Sequence, residues 1–175
     1  ENFSAFNSYN YPALAKAGVH ITYQPHLVHY SAPQAPLRLH TQFDQNVAIL
    51  KLFPGIQRSV VRAVLRTRGL KGVVLETFGA GNAPSDKWLY RELKAAVEKG
   101  IIIVNKTQCN TGSVEMGLYA VSLNLMKAGV LSGYDITTEA LLTKMMLLLG
   151  ETPDDTTIVR RLLGKDLCGE ITIDK

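Results

Sequence analysis

The chain has 175 residues, 46% of them hydrophobic, and its 19 Lys and Arg against 15 Asp and Glu give a formal net charge of +4. That length corresponds to about one domain with a full core, and it contains neither the run of roughly eighteen apolar residues that a membrane span needs nor a charged-then-apolar leader. Two cysteines, Cys109 and Cys168, lie too far apart in sequence for metal-ligand spacing and point to a reducing, cytoplasmic setting, while a first residue that is Glu1 and not Met suggests a chain cut from something longer.

The first periodic stretch, "YPALAKAGV" (11–19), predicts a short amphipathic helix stopped by Gly18, followed by "HITYQ". Pro25, Pro33 and Pro36 then break any regular ladder and predict a linker or extended loop. Beyond it the pattern becomes regular. "NVAILKLF" (46–53), "GVVLETF" (72–78) and "GIIIVNKT" (100–107) are short, nearly continuous apolar runs, as in strands buried on both faces of a parallel sheet. Helices are predicted between them: one over 57–68 with Val60, Val61, Val64 and Leu65 on one side, one over 87–99 after the start signal Pro84, Ser85 and Asp86, and one over 114–128 closing on Gly129.

"VLSGYD" (130–135) predicts a short strand or turn, and Asp135 and Thr137 are placed to cap the helix of "TTEALLTKMMLLLG". Its Leu141, Leu142, Met145 and Leu148 form a core stripe, not a cofactor box. A last helix in "DDTTIVRRLLG" leads to a β-like tail, "GEITID". Alternating strand and helix predict an α/β fold: an open, mostly parallel sheet of flavodoxin- or Rossmann-like form, flanked by helices. Ligands of such sheets lie at the carboxyl ends of the strands, where "ETFGAGN" and "NKTQCNTG" both fall.

The turn "ETFGAGNAP" (76–84) resembles a dinucleotide fingerprint only at first sight. Pro84 replaces the third glycine of G-x-G-x-x-G, and the next strand ends in Asn105, Lys106 and Thr107 instead of the acidic residue that meets a ribose hydroxyl. A plain turn, with glycine for positive φ and Pro84 to open the helix, also accounts for the stretch. Arg58, Arg62, Arg66 and Arg68 form the one local basic cluster, which reads as a solvated helix face; aromatic residues are not interleaved with it, so nucleic acid is not an expected partner. His20, His26, His29 and His40 fit no metal-ligand spacing and read as surface or strand residues.

Read together, "ETFGAGNAP", "IVNKTQCNTGSV", "YDITTEALLTK" and "DLCGEIT" resemble, in this order, the C-terminal domain of the type I (cytosolic) L-asparaginases, and "FSAFNSYNYPALAKAGVHI" is similar to the segment with which that family leaves its N-terminal domain. The resemblance implies that residues 1–24 are the tail of a missing N-terminal catalytic domain, 25–45 an inter-domain linker, and 46–175 the C-terminal α/β domain. It implies hydrolysis of L-asparagine to aspartate and ammonia by a homodimer or dimer of dimers, in the cytoplasm, with no cofactor, metal or membrane. The family's threonine nucleophile, in a T-G-G-T stretch, has no counterpart in these 175 residues, so the chain alone is expected to be inactive.

By the same resemblance, Gly79 and Gly81 let backbone approach a small zwitterion bound in the partner subunit, and Asn82 offers both donor and acceptor to its ammonium or carboxylate. Tyr119 falls where the family keeps a tyrosine near the active site; a tyrosine with one face in a core explains it equally. Glu115 is implied as a weaker contact to the substrate ammonium, and a solvent-facing glutamate of a helix's first turn explains it about as well. Thr107 and Cys109 match positions at which some bacterial members bind asparagine as an allosteric effector, but those members carry arginine where this chain has Glu76, which would repel the effector's carboxylate unless Lys106 or Lys71 neutralised it or it turned to take the effector's ammonium instead. Cys109 has a simpler reading as a small buried hydrophobe. A stand-alone α/β module that binds a small amino acid or anion without catalysis is the alternative function.

Overall fold

The computed structural model describes residues 10–28, 36–117 and 120–173, and the chain divides into two compact units, Glu1–Leu39 and His40–Lys175. In the first unit β1 (Ala15–Ala17) pairs antiparallel with β2 (Ile21–Tyr23). The helix expected over 11–19 is therefore absent. A nine-residue segment is too short to hold a helix by itself, since isolated helices under about 12 residues are marginal in water, and here the chain reverses at Gly18 and satisfies its backbone across a hairpin. Gln24 extends that ladder by donating its N–H to the Leu14 carbonyl (2.8 Å), and the Tyr11 hydroxyl donates to the carbonyl of Leu27 (2.8 Å), at the end of a 3-10 turn, Pro25–Leu27.

The second unit is built on four parallel strands in the order β3 (Val47–Lys51), β4 (Gly72–Thr77), β5 (Ile102–Thr107) and β6 (Leu131–Ser132). Helices cover both faces, which is why β4 and β5 are buried at every position. On one face Leu50, Val73, Leu75 and Ile103 pack with Val61 and Leu65 of α1 (Arg58–Leu65), Leu89, Leu93 and Ala96 of α2 (Lys87–Glu98), and Leu125 of α3 (Ala120–Lys127). On the other, Val74, Ile102 and Val104 meet Leu141, Met145, Leu148 and Leu149 of α4 (Thr138–Glu151) and Val159 and Leu163 of α5 (Thr156–Leu163). The period-2 alternation of each strand thus feeds two separate cores.

Three expectations shift here. The helix predicted over 114–128 begins only at Ala120, leaving 113–117 irregular. Of the two residues expected to cap α4, Thr137 does so, its hydroxyl accepting from the Ala140 N–H (3.2 Å), whereas the Asp135 carboxylate takes the N–H of Thr172 (2.7 Å). The tail at 171–173 is not a strand; Ile171 is buried in the second core and the Thr172 N–H is held by Asp135, which fixes the segment without a ladder.

The tail is also held by a buried ion pair. Lys144, on α4, places its ammonium 2.6 Å from Glu170 and donates to the carbonyls of Leu163 (3.3 Å) and Lys165 (2.5 Å). Burial opposes the charge on Glu170, but the Lys144 ammonium and the N–H of Cys168 outweigh it and bring the carboxyl from its ordinary 4.5 down to about 2. The same carboxylate accepts from the Cys168 thiol, and burial together with that bond pushes the thiol's pKa up. Because Glu170 titrates lower folded than unfolded, its contribution is present above about pH 4.5 and is lost as pH falls toward about 2. Glu170→Gln should cost about 3 kcal/mol at pH 7 by leaving the Lys144 charge uncompensated. Urea unfolding of both proteins from pH 7 to 3 checks this: the gap between wild type and Glu170→Gln narrows as the pH falls.

Candidate functional site

Both central strands begin apolar and end polar. Glu76 and Thr77 close β4, Asn105, Lys106 and Thr107 close β5, and all five are buried. Register places Lys51, Glu76 and Lys106 side by side on the face toward α4, and Leu75 beside Asn105 on the other. Gln108 clamps this edge, its side-chain amide donating to the carbonyls of Leu52 (2.5 Å) and Glu76 (3.0 Å).

From the end of β4 the chain turns back on itself. Phe78 and Asn82 exchange backbone hydrogen bonds, both 2.8 Å, so the loop Gly79-Ala80-Gly81 closes as a tight reversal. Gly79 has φ +48° and Gly81 φ +98°, left-handed conformations in which glycine is favoured. Gly81 is also crowded: a Cβ there would lie 2.7 Å from Val114 Cγ1 and 3.1 Å from Asn105 Nδ2, whereas one on Gly79 would meet nothing within 4 Å. Downstream, the Tyr90 hydroxyl of α2 donates to the Pro84 carbonyl (2.8 Å) and fixes where the turn enters the helix. The half-buried Asn82 makes no side-chain hydrogen bond among the described residues.

Residues 113–117 lie against this turn. Glu115 donates its N–H to the Ala80 carbonyl (3.1 Å), and Val114 donates to the carbonyl of Tyr134 (2.9 Å). Tyr134 sits at φ +53°, left-handed for a non-glycine residue, in the loop after β6. Glu115 is thus not in the first turn of a helix; it borders the glycine-rich turn, with an exposed side chain that forms no ion pair among the described residues. The structure brings Gly79, Gly81, Asn82 and Glu115 together. Tyr119 lies outside the described residues.

Glu76 is only 8% exposed. Its carboxylate accepts from the Thr138 hydroxyl (2.7 Å) at the start of α4 and lies 3.5 Å from the ammonium of Lys51. Neither lysine expected beside it is its ion-pair partner. Lys71 pairs with Asp44 (2.7 Å), whose carboxyl it holds below the usual range, and Lys106, a register neighbour, forms no ion pair among the described residues. The Thr107 hydroxyl is buried and accepts the N–H of Cys109 (3.1 Å). Cys109 is exposed, which overturns its reading as a buried hydrophobe: the thiol comes after the strand has ended and sits in the loop.

The basic cluster is partly neutralised within the fold, since Arg58 (2.6 Å) and Arg62 (3.6 Å) both reach Glu92, whose carboxyl the Arg58 hydrogen bond keeps low. His20 and His26 are exposed, His40 pairs with Glu151, and His29 lies outside the described residues. Among the described residues no three His, Cys, Asp or Glu side chains gather as a metal site, and no helix is long and apolar enough to cross a membrane.

Sequence patterns alone passed over Asn105, Thr77 and Tyr134. Asn105 is fully buried, accepts the Thr77 hydroxyl at Oδ1 (2.6 Å) and donates from Nδ2 to the Gly81 carbonyl (3.1 Å). A polar residue in an otherwise apolar strand was its available signal.

A parallel sheet covered by helices on both faces, with a glycine-rich turn and an unengaged asparagine amide at its C-terminal edge, defines an open α/β domain, the class in which ligands lie at the carboxyl ends of the strands. The family described as the glutaminase/asparaginase C-terminal domain matches residues 46–163, and the chain belongs to it. It is 44% identical over 170 residues to the human protein named 60 kDa lysophospholipase, covering 97% of this chain and 29% of that one. It is 40% identical over 179 residues to L-asparaginase 1 of Escherichia coli strain K12, covering 99% and 51%. The crystal structure of L-asparaginase I from Vibrio cholerae superposes with a TM-score of 0.88 at 38% identity, covering 98% of this chain and 51% of that one. The chain therefore spans about half the length of these two L-asparaginases and under a third of the human protein.

The crowding at the turn separates its two glycines. Gly81→Ala should cost more than about 2 kcal/mol, from a left-handed backbone plus overlap with Val114, whereas Gly79→Ala should cost about 1 kcal/mol from backbone conformation alone. Urea unfolding of the two variants checks the order.

Proposed function

We propose that this chain is the C-terminal domain of an L-asparaginase that hydrolyses L-asparagine to L-aspartate and ammonia, and that it supplies substrate contacts across a subunit interface. In this reading residues 1–24 close an N-terminal catalytic domain, 25–45 link the two domains, and 46–175 form the C-terminal domain of a cytoplasmic homodimer or dimer of dimers. The threonine nucleophile comes from the N-terminal domain, and no cofactor is required.

One observation carries the reading: a turn hydrogen-bonded from several sides leaves the Asn82 amide unengaged, and the backbone of Glu115, whose side chain is exposed, is bonded to Ala80 of that same turn. An amino-acid substrate is a zwitterion. Glu115 complements its ammonium, the Asn82 amide serves either charged end, and Gly79 and Gly81 keep Cβ atoms out of the way. Tyr119 is assigned, on the resemblance alone, to position water or relay a proton. Family membership and the match to L-asparaginases along nearly the whole chain support the amide chemistry. The full-length protein should release ammonia from asparagine, the 175-residue chain should not, and Asn82→Ala should lower kcat/KM by about 1–3 kcal/mol because a hydrogen-bond partner of the bound substrate is lost. An ammonia assay on the three proteins checks this. Release of fatty acid from a lysophospholipid without ammonia from asparagine would favour the activity in the human relative's name instead.

The equivalents of the effector site, Glu76, Thr107 and Cys109, do not favour a second asparagine. The Thr107 hydroxyl oxygen already accepts the Cys109 N–H and has only its own O–H to offer, and an effector carboxylate brought within about 4 Å of Glu76 would meet repulsion of about 1–4 kcal/mol, comparable to a typical allosteric coupling. Lys51 only partly offsets this, because its side chain is 62% exposed and screened by solvent. Initial rates of the full-length enzyme should therefore follow asparagine hyperbolically. A Hill coefficient well above one would show that effector binding survives Glu76.

A further inference from the structure

We infer that Asn105 is a positioning residue for substrate binding, acting through the glycine-rich turn; this rests on the reading of Asn82 given above. Asn105 is fully buried on β5 and touches the loops that follow β4, β5 and β6 at the C-terminal edge of the sheet. Its Nδ2 donates to the Gly81 carbonyl (3.1 Å) and points a weak second contact at Met116 Sδ (3.5 Å), in the loop after β5. Its main-chain carbonyl accepts the Gly133 N–H (2.8 Å) in the loop after β6, so close that a Cβ on Gly133 would lie 2.8 Å from that oxygen.

The direction of the amide is fixed. The Gly81 carbonyl can only accept, so the nitrogen must face it, and the Thr77 hydroxyl donates to the oxygen (2.6 Å). Thr77 thus orients Asn105, and Asn105 pins the carbonyl of the residue just before Asn82. A buried, satisfied polar chain of this kind specifies one arrangement, because the loss of either partner leaves a group without a hydrogen bond and away from water. The turn's own reversal bonds hold Phe78 to Asn82 but not the tilt of the turn against the sheet. Asn105, together with the Glu115 N–H on the Ala80 carbonyl, sets that tilt, and with it the place of the Asn82 amide.

The test is a double-mutant cycle in the full-length enzyme. Asn105→Leu, close in size and without hydrogen bonds, should raise KM for asparagine by about tenfold with a smaller change in kcat, and should have little further effect in an Asn82→Ala background, because both changes remove the same contact. Thr77→Val should reproduce part of the effect and Thr77→Ser should restore wild-type kinetics; if Asn105→Leu fails to fold, Thr77→Val takes its place in the cycle. Multiplying effects of Asn105→Leu and Asn82→Ala, or an unchanged KM in Asn105→Leu, would overturn the inference while leaving the substrate reading of Asn82 intact. Wild-type kinetics in Asn82→Ala alone would remove that reading and the inference with it.

Discussion

The covering of a parallel sheet on both faces is the constraint from which the rest of the domain follows. Helices on either side close the two central strands, so β4 and β5 are shut off from water along their whole length, while the edge strand β3 stays partly exposed. Successive side chains then serve different cores, Val73 and Leu75 one and Val74 the other, and along β4 and β5 polar side chains come only at the C-terminal ends. Burial of β4 and β5 is thus what concentrates the domain's polar chemistry at one edge.

At that edge the difficulty is to bury polar groups without stranding them. Glu76, Thr77, Asn105, Lys106 and Thr107 all lie under the loops, yet among the described residues no buried side-chain nitrogen or oxygen lacks a partner. The partners come from different elements: Thr138 from α4 for Glu76, the Gly81 carbonyl for Asn105, and the Cys109 N–H for Thr107. Each bond ties a strand end to a loop or, for Glu76, to the start of α4, so satisfying the strand ends and fixing what surrounds them are one process. The Lys144–Glu170 pair does the same for the C-terminal segment, which no strand ladder holds.

Much of this was legible in the residues. The three apolar runs are strands, the helices over 57–68, 87–99 and 137–150 lie within a few residues of their predicted bounds, and the glycine-rich turn sits at the carboxyl end of its strand. Local signals failed where tertiary partners decided the outcome. "YPALAKAGV" forms a hairpin because Ile21–Tyr23 supplies a pairing strand, and residues 113–117 are drawn out of the third helix by backbone bonds to Ala80 and Tyr134. The partner of Glu76 was sought at Lys106 or Lys71, and register delivered Lys51 from the neighbouring strand.

The sequence by itself determined the alternation of elements, the double burial of the central strands and the position of the Gly-x-Gly-Asn turn, because apolar periodicity and glycine's backbone freedom act over a few residues at a time. Tertiary structure alone decided which polar groups meet: that Asn105 lies under Gly81, that Glu115 borders Ala80, that Lys144 reaches Glu170, and that Cys109 is exposed. Those contacts join residues far apart along the chain, Asn105 and Gly81 by 24 positions and, like them, Glu76 and Thr138 by 62. Register and loop geometry set them, and neither is written in the local pattern of any one segment.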